Sequence, residues 1–431
     1  MTPAELEARV GRKIALRILP FVMLLYFVSF LDRVNAGFAA LSMNREIGLT
    51  PAAFGFGGGI FFLGYVLFEV PSNLILHRVG ARVWIARILM SWGLVSAASA
   101  LARGPVSFCV LRFLLGSAEA GFFPGIILYL SLWFPARQRA AAVAVFMAAA
   151  PLSTAIGSPI SGALMELPRF AGLDNWQLLY IVEALPAILL GFVVLKALTD
   201  RPEQARWLSA EERDWLTATL RAEESARSGR PGHTADLRRA MLDPRILVLS
   251  LVYVGSSASI YALGLWTPLM LGQFGFSPLE TGWISAAPGA AAVLLMIWWA
   301  RRSDRSGERH WHVVLPSLAA SLGFLWAGEA QAAIGLLLAL LLANAGLNAA
   351  KPPLWAIPSA FLSGAGAAAG IAVINSIGNL GGFAGPFLIG WLKGRSGGYR
   401  PGLDAVGALL GLSALLVLVL LRPAGADASA A

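Results

Sequence analysis

The chain has 431 residues, is 57% hydrophobic and only 13% charged, and carries a formal charge of +9. Soluble globular proteins carry about 25% charged residues, so that class is excluded. The single cysteine, Cys109, excludes an internal disulfide and a cysteine metal cage, and the scatter of arginines between apolar segments argues against nucleic-acid binding.

The chain opens on a polar stretch, MTPAELEARVGRK, and the apolar run after it is long enough to stay as a membrane span. Apolar segments of about 20 residues then recur between short polar breaks. The predicted spans are 17–41, 53–76, 84–102, 106–131, 140–165 and 176–198, then 246–272, 280–300, 311–328, 332–356, 364–392 and 402–421. The expected fold is therefore an all-α membrane protein of twelve transmembrane helices in two pseudo-symmetric six-helix halves. The halves are 1–198 and 246–431, joined by a central loop over 199–245.

That loop carries nine acids and nine arginines and is not expected to have a core of its own. The run Ser209, Ala210, Glu211, Glu212 is a capping-box pattern and predicts a short helix. Trp207, Trp215 and Leu216 either lay that helix on the membrane surface or leave it as a tether, and a tether is the expected role. With both termini cytoplasmic, the inside collects 23 of the 33 Lys and Arg and the outside six, as the positive-inside rule requires. The expected setting is the inner (plasma) membrane, with the chain a monomer in the lipid bilayer.

Among the ionisable residues inside predicted spans, eight stand out: Asp32, Glu69, Glu119 and Glu183, with Arg33, Arg112, Lys196 and Lys351. Each costs about 2.5–3.5 kcal/mol at mid-bilayer on insertion scales. Groups that bind and release charge explain that expense, which points to a solute transporter. A nucleotide-driven pump is excluded, because no lysine follows a glycine as a phosphate-binding loop needs. No nucleophile–base constellation marks an enzyme. The histidines, His77, His233, His310 and His312, stand in loop-like segments, so neither a metal nor another cofactor is expected.

Asp32 and Arg33 are helix neighbours about 100° apart, so one can face a central cavity and the other an adjacent helix. Arg33 is assigned as the anchor for a substrate carboxylate, because its planar fork gives two parallel hydrogen bonds. The alternative is that Asp32 and Arg33 neutralise each other. Arg112 and Glu119, seven apart, share a face of the fourth helix. Glu119 sits among small apolar residues, which suits a proton-coupled switch; a permanent bridge to an arginine is the alternative. Tyr65, Tyr261 and Trp266 are candidate cavity aromatics. Asn375 and Asn379 pair on the eleventh helix, while Asn344, Asn348 and Lys351 form a stripe on the tenth. These asparagines either bind substrate or join helix to helix. Lys351 either meets cytoplasmic water where the helix breaks at Pro352 and Pro353, the favoured reading, or faces Arg33 across the cavity. Glu69, Glu183 and Lys196 are expected outside the site: Glu69 at a gate or helix terminus, Glu183 on local backbone, Lys196 snorkelling.

The segment HRVGAR at 77–82 returns as DRSGER at 304–309, 227 residues later. Such repeats suit a transporter with its site at the interface of two halves. The repeated loop resembles that of the major facilitator superfamily. LDRVN at 31–35, FEVPSN at 68–73, RFLLGSAEAGFFPG at 112–125 and INSIGNLGGFAGP at 374–386 resemble, within it, the anion:cation symporter family. The resemblance implies uptake of a small organic acid, such as tartrate, phthalate or a sugar acid, with protons. It implies that Arg33 holds the substrate carboxylate, that Asp32 and Glu119 carry protons, and that Asn375 faces the substrate. Gating is expected at Arg78, Gly80, Arg82, Asp304, Arg305 and Gly307. The superfamily loop usually has an acid where His77 stands and a glycine where Asn73 stands, so the cytoplasmic gate is expected to rest on Asp304. The runners-up are an organic-anion exchanger and a drug:proton antiporter of the same fold.

Overall fold

The structure, a computed structural model, describes residues 2–228, 243–361 and 364–420. The predicted loop arginines Arg230, Arg238 and Arg239, with His233 and Arg422, lie outside the described residues. Twelve helices among the described residues are long and apolar enough to cross a membrane. Spans one to six are Ala4–Glu46, Pro51–Val79, Ala81–Leu101, Pro105–Trp133, Ala136–Leu164 and Asn175–Ala197. Spans seven to twelve are Pro244–Gly272, Pro278–Ser306, His310–Glu329, Ala333–Pro358, Gly370–Ser396 and Arg400–Leu420.

Several helices run past their apolar stretches, because helix signals and lipid length are set by different residues. The first helix starts at Pro3, not near residue 17, under a capping box. The Thr2 hydroxyl accepts from the Glu5 amide at 3.3 Å, and the Glu5 carboxylate accepts from the Thr2 amide at 2.8 Å. The tenth helix continues through Pro352 and Pro353 to Phe361, so the expected break does not occur. Prolines are tolerated in spans where neighbouring helices re-satisfy the freed backbone groups. The fourth span does break, into Pro105–Glu119 and Phe122–Trp133. Gly121 turns the chain at φ 84°, and a β-carbon there would also collide with Ser72.

The two halves meet along spans two and eleven, five and eight, and one and seven. At the end away from the 77–82 and 304–309 loops the contact is backbone on backbone. A β-carbon on Gly55 would meet the Pro386 carbonyl, and one on Gly390 the Pro51 carbonyl. Gly162 and Gly282 allow the same approach between spans five and eight. This end of the molecule is closed.

The described part of the central loop docks on the first half. Its helix, Ala210–Ser228, is capped as predicted, with Ser209 and Glu212 exchanging bonds of 3.2 and 2.9 Å. Glu212 is fully buried, accepting from Lys13 Nζ at 2.7 Å and pairing with Arg9 at 3.0 Å. Trp207 stacks on Trp133 at 5.5 Å, and Leu216 is buried in the core of the first half. The loop helix thus docks on the loop ends of spans one and four.

Burial alone would raise the Glu212 pKa. The Lys13 hydrogen bond, the Ser209 amide and the charges of Lys13 and Arg9 outweigh it and hold the carboxyl below its ordinary value. Docking is therefore fully stabilised above the ordinary glutamate pKa of about 4.3 and weakens as pH falls through the lowered folded value. Glu212→Ala should raise hydrogen exchange over 210–228 roughly tenfold, the equivalent of about 1.4 kcal/mol. Acid below the ordinary glutamate pKa of about 4.3 should do the same to wild type, once corrected for the pH dependence of intrinsic exchange. Unchanged exchange in the variant would show that the tryptophan stack alone holds the helix.

Candidate functional site

The site grows from one residue, Arg33, at the middle of span one. Its guanidinium is mostly buried and ringed by Phe30, Phe61, Tyr65 and Tyr261, with centroids 5.1–5.7 Å away. Nη2 and Nε donate to Glu119 Oε1 at 2.7 and 3.2 Å, and Nη1 donates to Tyr261 Oη at 2.7 Å. Tyr261 belongs to span seven, so this one side chain joins the two halves. Glu119 also accepts from Ser29 at 2.6 Å, one turn before Arg33, and its Oε2 is buried without a partner. Glu119 is the last residue of its helix piece, which the Gly121 turn ends.

Asp32 and Arg33 do not neutralise each other. Asp32 points to span three and accepts from Trp92 Nε1, from Ser96 Oγ at 2.7 Å and from Asn35 Nδ2 at 3.1 Å. Three donors hold the carboxylate 2% exposed, away from the cavity that Arg33 lines. Arg112 does not pair with Glu119 despite their shared face. It is 3% exposed, lies over the Phe61 ring at 5.2 Å, and has Nε and Nη1 without hydrogen-bond partners. Its place in the sequence makes Arg112 a candidate substrate ligand beside Arg33, but it lines neither cavity described below.

Two cavities lie between the halves. One is walled by Arg33, Tyr65, Tyr253, Tyr261, Asn375 and Asn379. The other, nearer the closed end, is walled by Thr154, Ser158, Ser285, Asn344 and Asn348. Phe30, Ile260 and Lys351 line both. Because the tenth helix does not break, Lys351 is held at the junction of the cavities. Among the described residues it has no ion pair and no hydrogen bond. Asn348 donates to the Asn344 carbonyl and side chain at 2.9 and 2.7 Å, so this asparagine pair is partly self-satisfied.

Trp266 is not a cavity residue. It is 1% exposed, bonds the Pro386 carbonyl at 3.1 Å and stands edge-on to Phe54, packing the closed end. Glu183 does not serve local backbone; it accepts from Ser161 on span five at 2.7 Å. Glu69 accepts from Asn375 Nδ2 at 2.9 Å, across the halves.

The gating residues are placed at the loops as the repeat requires, but their charge contacts are local. Gly80 and Gly307 take φ 97° and 68°. The Arg82 amide donates to Asp200 at 2.8 Å, and its guanidinium lies 3.6 Å from the same carboxylate. The first half thus takes its acid from Asp200, three residues after span six, instead of position 77. Asp304 pairs with Arg309 in its own loop at 2.7 Å and, among the described residues, with no other span. Arg78 is exposed, and Arg305 makes no ion pair among the described residues.

The sequence reading missed Ser29, Trp92, Ser96, Tyr253 and Trp355, the last of which also walls the Arg33 cavity. Ser29 stood four residues before Arg33, a helical spacing that marks it. Trp92 and Ser96 share that spacing with each other but carry no signal for Asp32.

The family model of the Major Facilitator Superfamily matches residues 22–386 and 273–430. A provisionally named tartrate transporter of Agrobacterium vitis is 58% identical over 421 residues, covering 98% of this chain and 96% of its own. A quinolone resistance transporter of Acinetobacter baumannii is 40% identical over 401 residues, covering 93% and 92%. Among solved structures, a bacterial homologue of the human lysosomal transporter Spinster, inward-facing and unoccupied, superposes with a TM-score of 0.76 at 16% identity, over 94% of this chain and 96% of that one. With twelve spans in two halves and a family match over nearly its whole length, the chain belongs to the Major Facilitator Superfamily and is a multi-pass membrane transporter.

Proposed function

We propose that this transporter imports a small organic carboxylate, tartrate or a close relative, together with protons, by alternating access. The observation that carries the reading is the Arg33–Glu119 pair. A guanidinium cannot give up its proton, whereas a carboxylate can take one. Protonating Glu119 weakens its hold on Arg33 and frees the fork for the substrate's carboxylate. When the substrate leaves, Glu119 loses its proton and returns to Arg33. Substrate and proton thus bind together, and the gradient of one drives the other. Asp32, with three donors, is the second proton carrier, one residue away from the anchor. Arg33 also bonds Tyr261 of the other half, so occupying or vacating the fork bears directly on how the halves meet.

The 58% identical relative named for tartrate supports the substrate class. The distribution of Lys and Arg supports cytoplasmic termini, the 77–82 and 304–309 loops on the cytoplasmic side, and an inner (plasma) membrane setting. The glycine-closed end is then external, and the conformation faces inward. The monomer is the proposed unit.

A drug:proton antiporter is the second reading, favoured by the relative named for quinolone resistance. Proteoliposomes decide between them. Labelled tartrate should accumulate under an imposed inward proton gradient without any counter-substrate inside. Accumulation that needs an internal organic anion would establish exchange. Proton-driven efflux of a quinolone with no tartrate uptake would establish the antiporter.

Arg33→Ala should insert normally and lose at least 100-fold in substrate affinity, about 2.7 kcal/mol. Arg33→Lys should recover little of it, because an ammonium cannot reproduce the fork. Full uptake by the alanine variant removes Arg33 from the anchor role.

Glu119→Gln mimics the protonated acid. It should keep binding and exchange but lose accumulation against a gradient, and Asp32→Asn should show the same split. Uptake by Glu119→Gln that still scales with the imposed pH difference would rule out Glu119 as a required carrier.

Lys351 predicts substrate charge. Two cations walling one cavity suit a dicarboxylate better than a monoacid. Wild type should favour tartrate over matched monocarboxylates in competition, and Lys351→Met should lose that preference. Identical selectivity in both proteins would assign Lys351 no part in recognition.

A further inference from the structure

We propose that Glu69 is a further proton-coupling carboxylate, acting through Asn375: it holds that amide until the substrate's own carboxylate takes its place. The inference rests on the carboxylate-transport reading above and deepens it.

Glu69 belongs to span two and is only 5% exposed. Its Oε1 accepts from Asn375 Nδ2 at 2.9 Å, a bond between residues 306 positions apart and in opposite halves. Its Oε2 is buried with no hydrogen-bond partner, and Glu69 has no ion pair among the described residues. A helix-joining residue needs only an amide or a hydroxyl there. An ionised carboxylate with one neutral donor is a poor structural choice, since burying an unpaired charge is strongly unfavourable.

Asn375 lines the same cavity as Arg33. Two of the donors walling the cavity, one from each half, are thus held by internal carboxylates, Arg33 by Glu119 and Asn375 by Glu69. A substrate carboxylate that reaches Asn375 competes with Glu69 for the amide. While Glu69 is ionised, two negative charges would share one amide away from water. A proton taken from water onto the unpartnered Oε2 removes that repulsion and leaves Glu69 neutral beside the bound anion. No other bond is made or broken. The proton returns to water when the substrate leaves and Glu69 recovers the amide.

The surrounding charges leave this role open to Glu69. Tyr65 on its own span and Tyr253 on span seven are the nearest titratable neighbours and are ordinarily neutral. On span four, Arg112 faces Phe61 and Glu119 faces Arg33. On span three, Arg82 is held by Asp200 and Arg87 lies over Trp84. Arg33 and Lys351 wall the cavity beyond Asn375 and form no ion pair with Glu69.

The test counts protons. Tartrate binding to purified protein is measured by calorimetry in buffers of different ionisation enthalpy, from acid to neutral pH. Glu69→Gln keeps an acceptor for Asn375 but cannot titrate. It should bind tartrate at acid pH about as wild type does, take up about one proton fewer per tartrate, and lose about one unit of slope in log affinity against pH. A proton count and slope equal to wild type overturn the proposal and leave Glu69 as a helix joint. Should Glu69→Gln not fold, Asn375→Ala reads the same quantity: weaker binding with a lowered proton count supports the link, and weaker binding with the wild-type count overturns it. Failure of wild type to bind tartrate or any other carboxylate would overturn the transport reading together with this one. Failure confined to the variants overturns only the assignment of Glu69.

Discussion

Leaving the Arg33 guanidinium in this site without an anion or strong acceptor would be costly, and the centre of this transporter is arranged to meet that demand. Arg33 cannot shed its charge. Glu119 answers it from span four, at the place where the helix stops, and Ser29 steadies the same oxygen from one turn away. The Gly121 turn matters because it ends the helix right after Glu119 and starts a second piece in a new direction. Four aromatic rings keep water from the cation while their faces favour it. The partner can therefore be exchanged, but the position cannot stay empty, and exchange of partner is what a carrier cycle requires.

Much of the fold was legible because lipid imposes a simple length and polarity rule. The twelve spans, the long central break and the loop repeat all follow from it. The ends of the helices were less legible: Thr2 with Glu5 starts the first helix well before its apolar stretch, and prolines in the tenth do not stop it. The docking of the central helix was also hidden. Its buried Glu212 looks like any other acid in a loop with balanced charge, and only the fold brings Lys13 and Arg9 to it.

The site divides in the same way. That Asp32 and Arg33 face different surroundings follows from helix geometry alone. Which surroundings they face does not, since Trp92, Ser96 and Tyr261 come from distant segments. Spacing misled for Arg112, because sharing a helix face with Glu119 says nothing of what a third helix offers, and Arg33 takes the carboxylate first. Trp266 misled for another reason: a large aromatic with one polar atom serves equally as cavity wall or as packing, and here the Pro386 carbonyl claims its N–H.

The closed end has a consequence of its own. Its seam is made of glycine and proline backbone, with Gly55 against Pro386 and Gly162 against Pro278. Among the described residues, parting these surfaces breaks no ion pair, but it takes the Leu279 amide from Glu166 and lifts Phe54 off Trp266. Apart from Glu166, the contact there is between uncharged groups. It behaves as a plain mechanical hinge stop, held shut by close fit. All chemical discrimination is left to the polar centre, so cargo preference can diverge among relatives while the stop is kept unchanged.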